Sequence, residues 1–170
     1  QAAADRAQQA GVGLFAACPT VVFPSSWHVT GDPAAFIASL PQGQQADVAE
    51  RLTRAYASID AQVRGGRELF FSESLGNAEL ITSIDYNMCS DGTFARRFEQ
   101  SGQGGGTVET LRGTWRIAVD FTRADNPQVP VIEETLEDGT ARAELLDVID
   151  AGHVLVDGRR YVTGPSGVCS

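Results

Sequence analysis

The sequence predicts an α+β fold, with N-terminal helices packed on a C-terminal antiparallel β-meander that curls into a small barrel or half-barrel. Apolar residues recur at helical spacing over 48–63, and after residue 66 apolar and polar residues alternate as in half-buried strands. We therefore expect one structural domain, made of a helical and irregular segment, residues 1–66, and a meander, residues 67–170. Asp-Gly pairs, which favour tight hairpins, stand at 91–92, 138–139 and 157–158.

Helical signals dominate the segment before the meander. Residues 1–10 are rich in Ala and Gln and predict a helix or a frayed terminus. Asp32 followed by Pro33 predicts a helix start, because aspartate caps the first N–H groups and proline needs none at the first position. This helix should end near Pro41, and Gly65-Gly66 should end the next one. The apolar stripe of that second helix comprises Val48, Leu52, Ala55, Ile59 and Val63.

The first Asp-Gly hairpin has two possible registers. A loop of Asp91 and Gly92 alone would leave Phe94 and Phe98 on the face opposite the apolar stripe of the preceding strand. A three-residue loop, 90–92, instead places Met88 opposite Phe94 and Ile84 opposite Phe98, with Asp85 meeting Arg97 on the wet face. We expect the second register, with Gly92 in a left-handed conformation.

The expected register points Arg96 into the apolar face, opposite Tyr86. An inward guanidinium must be paired, stacked on a ring or hydrated, because an unpaired buried charge is costly. The preferred interpretation is that the stem of Arg96 packs while its head extends to water at a sheet edge.

Composition excludes several classes of function. The formal charge is −9, and all 13 basic residues are arginine, so nucleic-acid binding is not expected and lysine-dependent chemistry is excluded. No apolar run approaches the roughly 20 residues that span a bilayer, so no membrane span is expected. The Ala-rich start at Gln1 suits a mature end left by signal-peptide cleavage, and equally a trimmed chain. We expect an extracytoplasmic protein.

The three cysteines, Cys18, Cys89 and Cys169, lack the paired spacing of a zinc or redox site. One disulfide and one thiol are therefore expected. We expect a Cys89–Cys169 disulfide, since Cys89 ends a strand beside a turn and Cys169 would hold a tail that otherwise frays.

Residues 67–169 resemble small bacterial secreted proteins with lipocalin-like, or calycin-like, β-barrels. The similarity lies in 88–94 (Met-Cys-Ser-Asp-Gly-Thr-Phe), 113–116 (Gly-Thr-Trp-Arg) and 157–161 (Asp-Gly-Arg-Arg-Tyr). Lipocalins carry their Gly-x-Trp element on the first strand, whereas here it lies in the middle of the meander. The resemblance implies a barrel and a binding role rather than a reaction.

The leading hypothesis is an exported, non-enzymatic binding or protein-interaction module that needs no cofactor. Aromatic walls and one cation would suit a small organic anion, and a protein is the other candidate partner. No catalytic residue is assigned. The candidate lining residues are Tyr86, Arg96, Phe98, Trp115 and Tyr161.

Two alternative functions remain open. The chain could be an accessory subunit of a larger extracytoplasmic assembly that docks through the apolar segment 12–23, or a hydrolase centred on His28, with Cys18, Ser25 and Ser26 nearby in sequence. No metal site is expected, because histidine pairs and calcium-loop spacing are missing. The acidic cluster Glu133, Glu134, Glu137 and Asp138 is interpreted as a solvated face.

Overall fold

Two helices and nine strands make up the described part of the chain, residues 19–75, 80–123 and 128–169, in a computed structural model. The helices are α1 (Pro33–Ser39) and α2 (Gln42–Val63). The strands are β1 (His28–Thr30), β2 (Arg67–Leu75), β3 (Leu80–Met88), β4 (Thr93–Gly102), β5 (Gly105–Asp120), β6 (Val131–Leu136), β7 (Ala141–Asp150), β8 (His153–Val156) and β9 (Arg159–Pro165).

Strands β2 to β9 close into an eight-stranded antiparallel barrel. Each strand pairs with the next along the chain, and β9 pairs back with β2, so the connectivity is up-and-down throughout. Closure removes the free strand edges that an open sheet would expose. β1 adds to the end of β5 as a parallel strand, with His28 opposite Ala118. The predicted meander and its barrel are confirmed.

The helices follow the expected signals. The Asp32 carboxylate accepts hydrogen bonds from the N–H groups of Ala34 at 2.9 Å and Ala35 at 3.1 Å, and α1 starts at Pro33. In α2 the buried positions include Leu52, Tyr56, Ile59 and Val63. Ala55, assigned to the stripe from its spacing, is exposed instead, since Tyr56 turns the larger side chain inward. The helix predicted for residues 1–10 lies outside the described residues.

Polar contacts fix α2 against one end of the barrel. The Tyr56 hydroxyl donates to the carbonyl of Gln128, just before β6, at 2.9 Å. The Gln62 side-chain oxygen accepts from the Gly152 N–H in the β7–β8 turn and from the Thr163 hydroxyl of β9, both at 3.1 Å. The helix therefore covers the barrel end at which β7 ends and β8 begins. Neither of the two described helices is long and apolar enough to cross a membrane.

The register of the first hairpin is the one expected. Met88 pairs with Phe94 and Ile84 with Phe98, and Gly92 has a φ of +83°. Since paired residues share a face, Phe94, Arg96 and Phe98 all point toward the barrel interior with the buried side of β3.

Cys89 and Cys169 form the expected pair, with their Cα atoms 5.1 Å apart. The indole of Trp115 donates to the carbonyl of Cys89 at 3.0 Å, so the tail, the β3–β4 turn and β5 meet at one point. Cys18 lies outside the described residues.

Candidate functional site

The barrel interior carries a cluster of polar side chains among apolar ones, hereafter the interior cluster. It comprises Tyr86 on β3, Arg96 on β4, Glu134 on β6, Glu144 on β7 and Tyr161 on β9. Strand alternation places each of them on the inner face. Glu134, for instance, stands two residues from Ile132 and two from Leu136, and all three are buried.

Arg96 is at the centre of the interior cluster. Its Nη1 lies 2.8 Å from Glu144 Oε1 and 3.7 Å from Glu134 Oε1, and its guanidinium stands 5.4 Å from the centroid of the Tyr86 ring. The exposed fraction of the side chain is 12% for Arg96, 15% for Glu144 and 0% for Glu134. The expectation that the head of Arg96 extends to water at a sheet edge is therefore wrong, because two carboxylates hold it inside the barrel.

Four buried polar atoms of the interior cluster have no hydrogen-bond partner within the described residues. They are the Tyr86 hydroxyl, both carboxylate oxygens of Glu134 and Oε2 of Glu144. Such atoms are rare in folded proteins, and each costs about 1–3 kcal/mol if it stays unpaired. Ionised carboxylate oxygens only accept hydrogen bonds, so three of these four atoms need a donor, which a proton, water or a ligand would supply.

Burial raises the pKa of Glu134 above its ordinary value. The Tyr86 hydroxyl opposes that rise, the neighbouring Glu144 charge adds to it, and Arg96 and Arg142 oppose it. Burial likewise raises the pKa of Tyr86, and the charge of Glu134 raises it further. Both groups therefore favour their neutral, protonated forms more than they would in water.

The charges on the other two members follow the same causes. Burial tends to lower the pKa of Arg96, but the hydrogen bond and charge of Glu144 raise it, so Arg96 stays charged. Burial raises the pKa of Tyr161, and the charge of Arg96 opposes that rise. The interior cluster thus keeps one permanent cation, Arg96, beside Glu134, whose raised pKa favours the protonated carboxyl.

Two more arginines lie on the same inner face and are exposed. Arg142 pairs across the sheet with Glu134, and Arg159 pairs with Val156, whose side chain is buried inside the barrel. The guanidinium of Arg159 stands 5.8 Å from the centroid of the Phe71 ring. Within the described residues neither arginine forms an ion pair. We call Arg142 and Arg159 the rim arginines.

The structure brings together three of the five residues predicted to line a ligand site, Tyr86, Arg96 and Tyr161. Phe98 is half-buried on the same inner face, opposite Ile84. Trp115 is also half-buried, and its indole is directed to Cys89 instead of the cluster.

The carboxylates of the site were missed by sequence reasoning. Glu133, Glu137 and Asp138 do reach solvent, but the interpretation of the whole acidic run as a solvated face is wrong for Glu134, which is 1% exposed. The sequence signal that could have found it is spacing: Glu134 lies two residues from Ile132 and two from Leu136, so it shares their inward-facing side of β6. Glu144, two residues before the buried Leu146, carries the same signal.

The residues of the two alternative functions are separated from the interior cluster. His28 and its neighbours Ser25 and Ser26 are exposed, with His28 on β1. Within the segment 12–23, Phe23 packs on Tyr56 and Phe121, with ring centroids 5.3 Å and 5.9 Å apart. Val21 and Phe23 therefore contribute to the core, whereas Val22 is 62% exposed, and the residues before 19 lie outside the described ones.

No group of three or more His, Cys, Asp or Glu residues is placed to hold a metal ion in 19–75, 80–123 and 128–169. No family model, curated protein or solved structure matches the chain. The lipocalin-like resemblance stays a prediction, and the small organic anion stays a predicted partner. Arg96, the cation expected to attract that anion, is already engaged by carboxylates.

Proposed function

We propose that this chain is an extracytoplasmic, non-enzymatic binding protein whose barrel takes a small polar ligand at the interior cluster. The observation that carries the proposal is the set of four buried polar atoms without partners, on Tyr86, Glu134 and Glu144. A ligand that supplies donors to these atoms would remove their cost, and that free energy would favour binding.

A purely structural role would account for Arg96 and Glu144 but not for Glu134. The pair at 2.8 Å already balances the charge of the guanidinium, so a second, fully buried carboxyl adds a desolvation cost that its contact with Arg96, at 3.7 Å, only partly offsets. An apolar residue at position 134 would pack with Ile132 and Leu136 and stabilise the barrel more. A carboxyl at that position is consistent with recognition of a partner outside the chain.

The disulfide supports the proposed location. Cys89 and Cys169 are paired in the fold, and disulfides persist in oxidising compartments outside the cytoplasm. The acidic charge of −9 keeps such a protein soluble and does not favour nucleic acid.

The experiment compares ligand binding by the unmodified chain, Glu134→Gln and Glu133→Gln. The control is matched, because Glu133 is the adjacent residue on β6 but points outward and pairs with Arg116 at 2.6 Å. A panel of amines, amino acids, polyols and carboxylates is screened by thermal shift, and hits are measured by calorimetry. Folding of each variant is checked by circular dichroism.

We expect at least one compound to raise the melting temperature of the unmodified chain and of Glu133→Gln. Glu134→Gln should bind that compound about tenfold more weakly, as loss of a charge-assisted hydrogen bond implies. A panel with no binder, or a hit that Glu134→Gln binds as tightly as the control variant, would overturn the proposed function.

A further inference from the structure

The floor of the proposed site is the interior cluster, and most of its unpartnered polar atoms are hydrogen-bond acceptors. Three of its four unpartnered atoms are carboxylate oxygens, on Glu134 and Glu144, and the fourth is the Tyr86 hydroxyl. The charge of Arg96 is already balanced by Glu144, which it contacts at 2.8 Å, with Glu134 at 3.7 Å, so the floor carries no surplus positive charge for an incoming anion. An ammonium group brings three N–H donors and a positive charge, so it matches three carboxylate oxygens better than a single hydroxyl does.

The rim offers the opposite charge. The rim arginines, Arg142 and Arg159, stand exposed on the same inner face without an ion pair in the described residues. A guanidinium binds a carboxylate or phosphate through two parallel hydrogen bonds. Arg142 is the cross-strand partner of Glu134, so a rim arginine lies directly beside an acidic residue of the interior cluster.

We infer that the ligand of this barrel is a small zwitterion, whose ammonium group binds Glu134 and Glu144 while its anionic group binds the rim arginines. The inference rests on the proposed function and adds to it the chemical class of the ligand. A simple anion would face the carboxyls of Glu134 and Glu144, and a simple cation would face the two rim arginines. A zwitterion satisfies both.

Binding of an ammonium group also has a consequence for protons. The groups facing Glu134 are Tyr86 from β3, Arg96 from β4 and, from β7, Arg142 and Glu144. Without a ligand, burial and the charge of Glu144 raise the pKa of Glu134 and so favour its protonated form. An arriving ammonium replaces that proton, so binding should release protons and should strengthen as the pH rises from acidic toward neutral.

The probes are the ω-amino acids from glycine to 6-aminohexanoate, each compared with the n-alkylamine and the n-alkanoate of the same chain length. Calorimetry at neutral pH and low salt gives the dissociation constants, and buffers of different ionisation enthalpy give the protons released. The variants are Glu134→Gln, Arg142→Gln and Arg159→Gln. Arg160→Gln is the matched control, since Arg160 is the exposed neighbour of Arg159 on the outer face.

We expect at least one ω-amino acid to bind about tenfold more tightly than either of its single-charge analogues, the gain typical of one added charge-assisted contact. Glu134→Gln should remove the advantage over the alkanoate, and the two rim variants the advantage over the alkylamine. Arg160→Gln should change neither.

Two failures are distinguishable. If an alkylamine, an alkanoate or a polyol binds through Glu134 as tightly as any ω-amino acid, the zwitterion inference is wrong and the proposed binding function stands. If no probe and no member of the wider panel binds, both are wrong.

Discussion

Replacement of Arg96 by Met tests whether the interior cluster is held by its central cation. Methionine keeps much of the apolar stem but leaves Glu134 and Glu144 facing each other without a counter-charge. Removal of one partner of a buried ion pair costs about 3–5 kcal/mol, because the remaining charge stays desolvated. Arg96 and Glu144 keep 12% and 15% of their side-chain surface exposed, so partial hydration places the expected loss near about 3 kcal/mol.

The loss should depend on pH in a definite direction. Burial raises the pKa of Glu134 in the folded chain, and removal of Arg96 raises it further, while the unfolded chain keeps a value of about 4.3. The destabilisation is therefore present at neutral pH. It shrinks as the pH falls toward the unfolded-state value, where the folded and unfolded chains both carry the proton.

Urea denaturation of the oxidised chain, at neutral pH and near pH 5, measures both effects. Arg97→Met is the matched control, since Arg97 is adjacent in sequence but 49% exposed, with Asp85 and Glu99 as surface partners. That variant should lose less than about 1 kcal/mol, as exposed pairs do. Equal losses in the two variants, or a loss for Arg96→Met that does not change with pH, would refute the description of the interior cluster as a buried, charge-coupled unit.

Three further predictions concern the barrel. Gly113→Ala should lower the free energy of unfolding in urea by about 3 kcal/mol, because the added Cβ would lie 2.0 Å from the Thr135 carbonyl oxygen. Gly43→Ala, whose added Cβ meets no neighbour, should raise it by up to about 1 kcal/mol. Equal effects would contradict the close approach of β6 to Gly113. Replacing Cys89 and Cys169 together by Ser removes a link between residues 80 apart and should lower the free energy of unfolding by about 4 kcal/mol. An unchanged stability would contradict this prediction. Near pH 10 the folded chain should show little tyrosinate absorbance, because burial raises the pKa of each tyrosine. The tyrosines of the urea-unfolded chain should be about half ionised at that pH. Half ionisation in the folded chain would show that the rings are exposed. The tyrosines are Tyr56, Tyr86 and Tyr161.

Elements with local causes were predictable from sequence. The Asp32 cap and Pro33 define the start of α1, and Gly92 defines the first hairpin, because each acts on neighbouring residues alone. The inward direction of Arg96 followed from the same register, since a hairpin loop fixes which residues share a face.

Pairings between distant strands were not predictable from the residues of either strand alone. Closure of the barrel requires β9 to pair with β2, and no residue pattern in either strand identifies the other as its partner. The partners of Arg96 come from β6 and β7, so pairing could not be inferred from β4 alone. The burial of Glu134 was missed because the acidic run was interpreted from its polarity, and the alternation of inward and outward positions along β6 was given less weight.

The seam between β2 and β9 joins the first and last strands of the barrel, with Arg67 opposite Pro165 and Phe70 opposite Val162. Contacts so far apart in the chain form late, because loop-closure entropy must be overcome before they contribute. The Cys89–Cys169 link lies near this seam, from the end of β3 to the tail just after β9. Once oxidised, it shortens the path between β9 and the β2–β3 hairpin. The order of events during maturation then matters. A chain oxidised before β9 pairs with β2 forms this pairing within a closed loop, whereas a reduced chain forms it without that constraint.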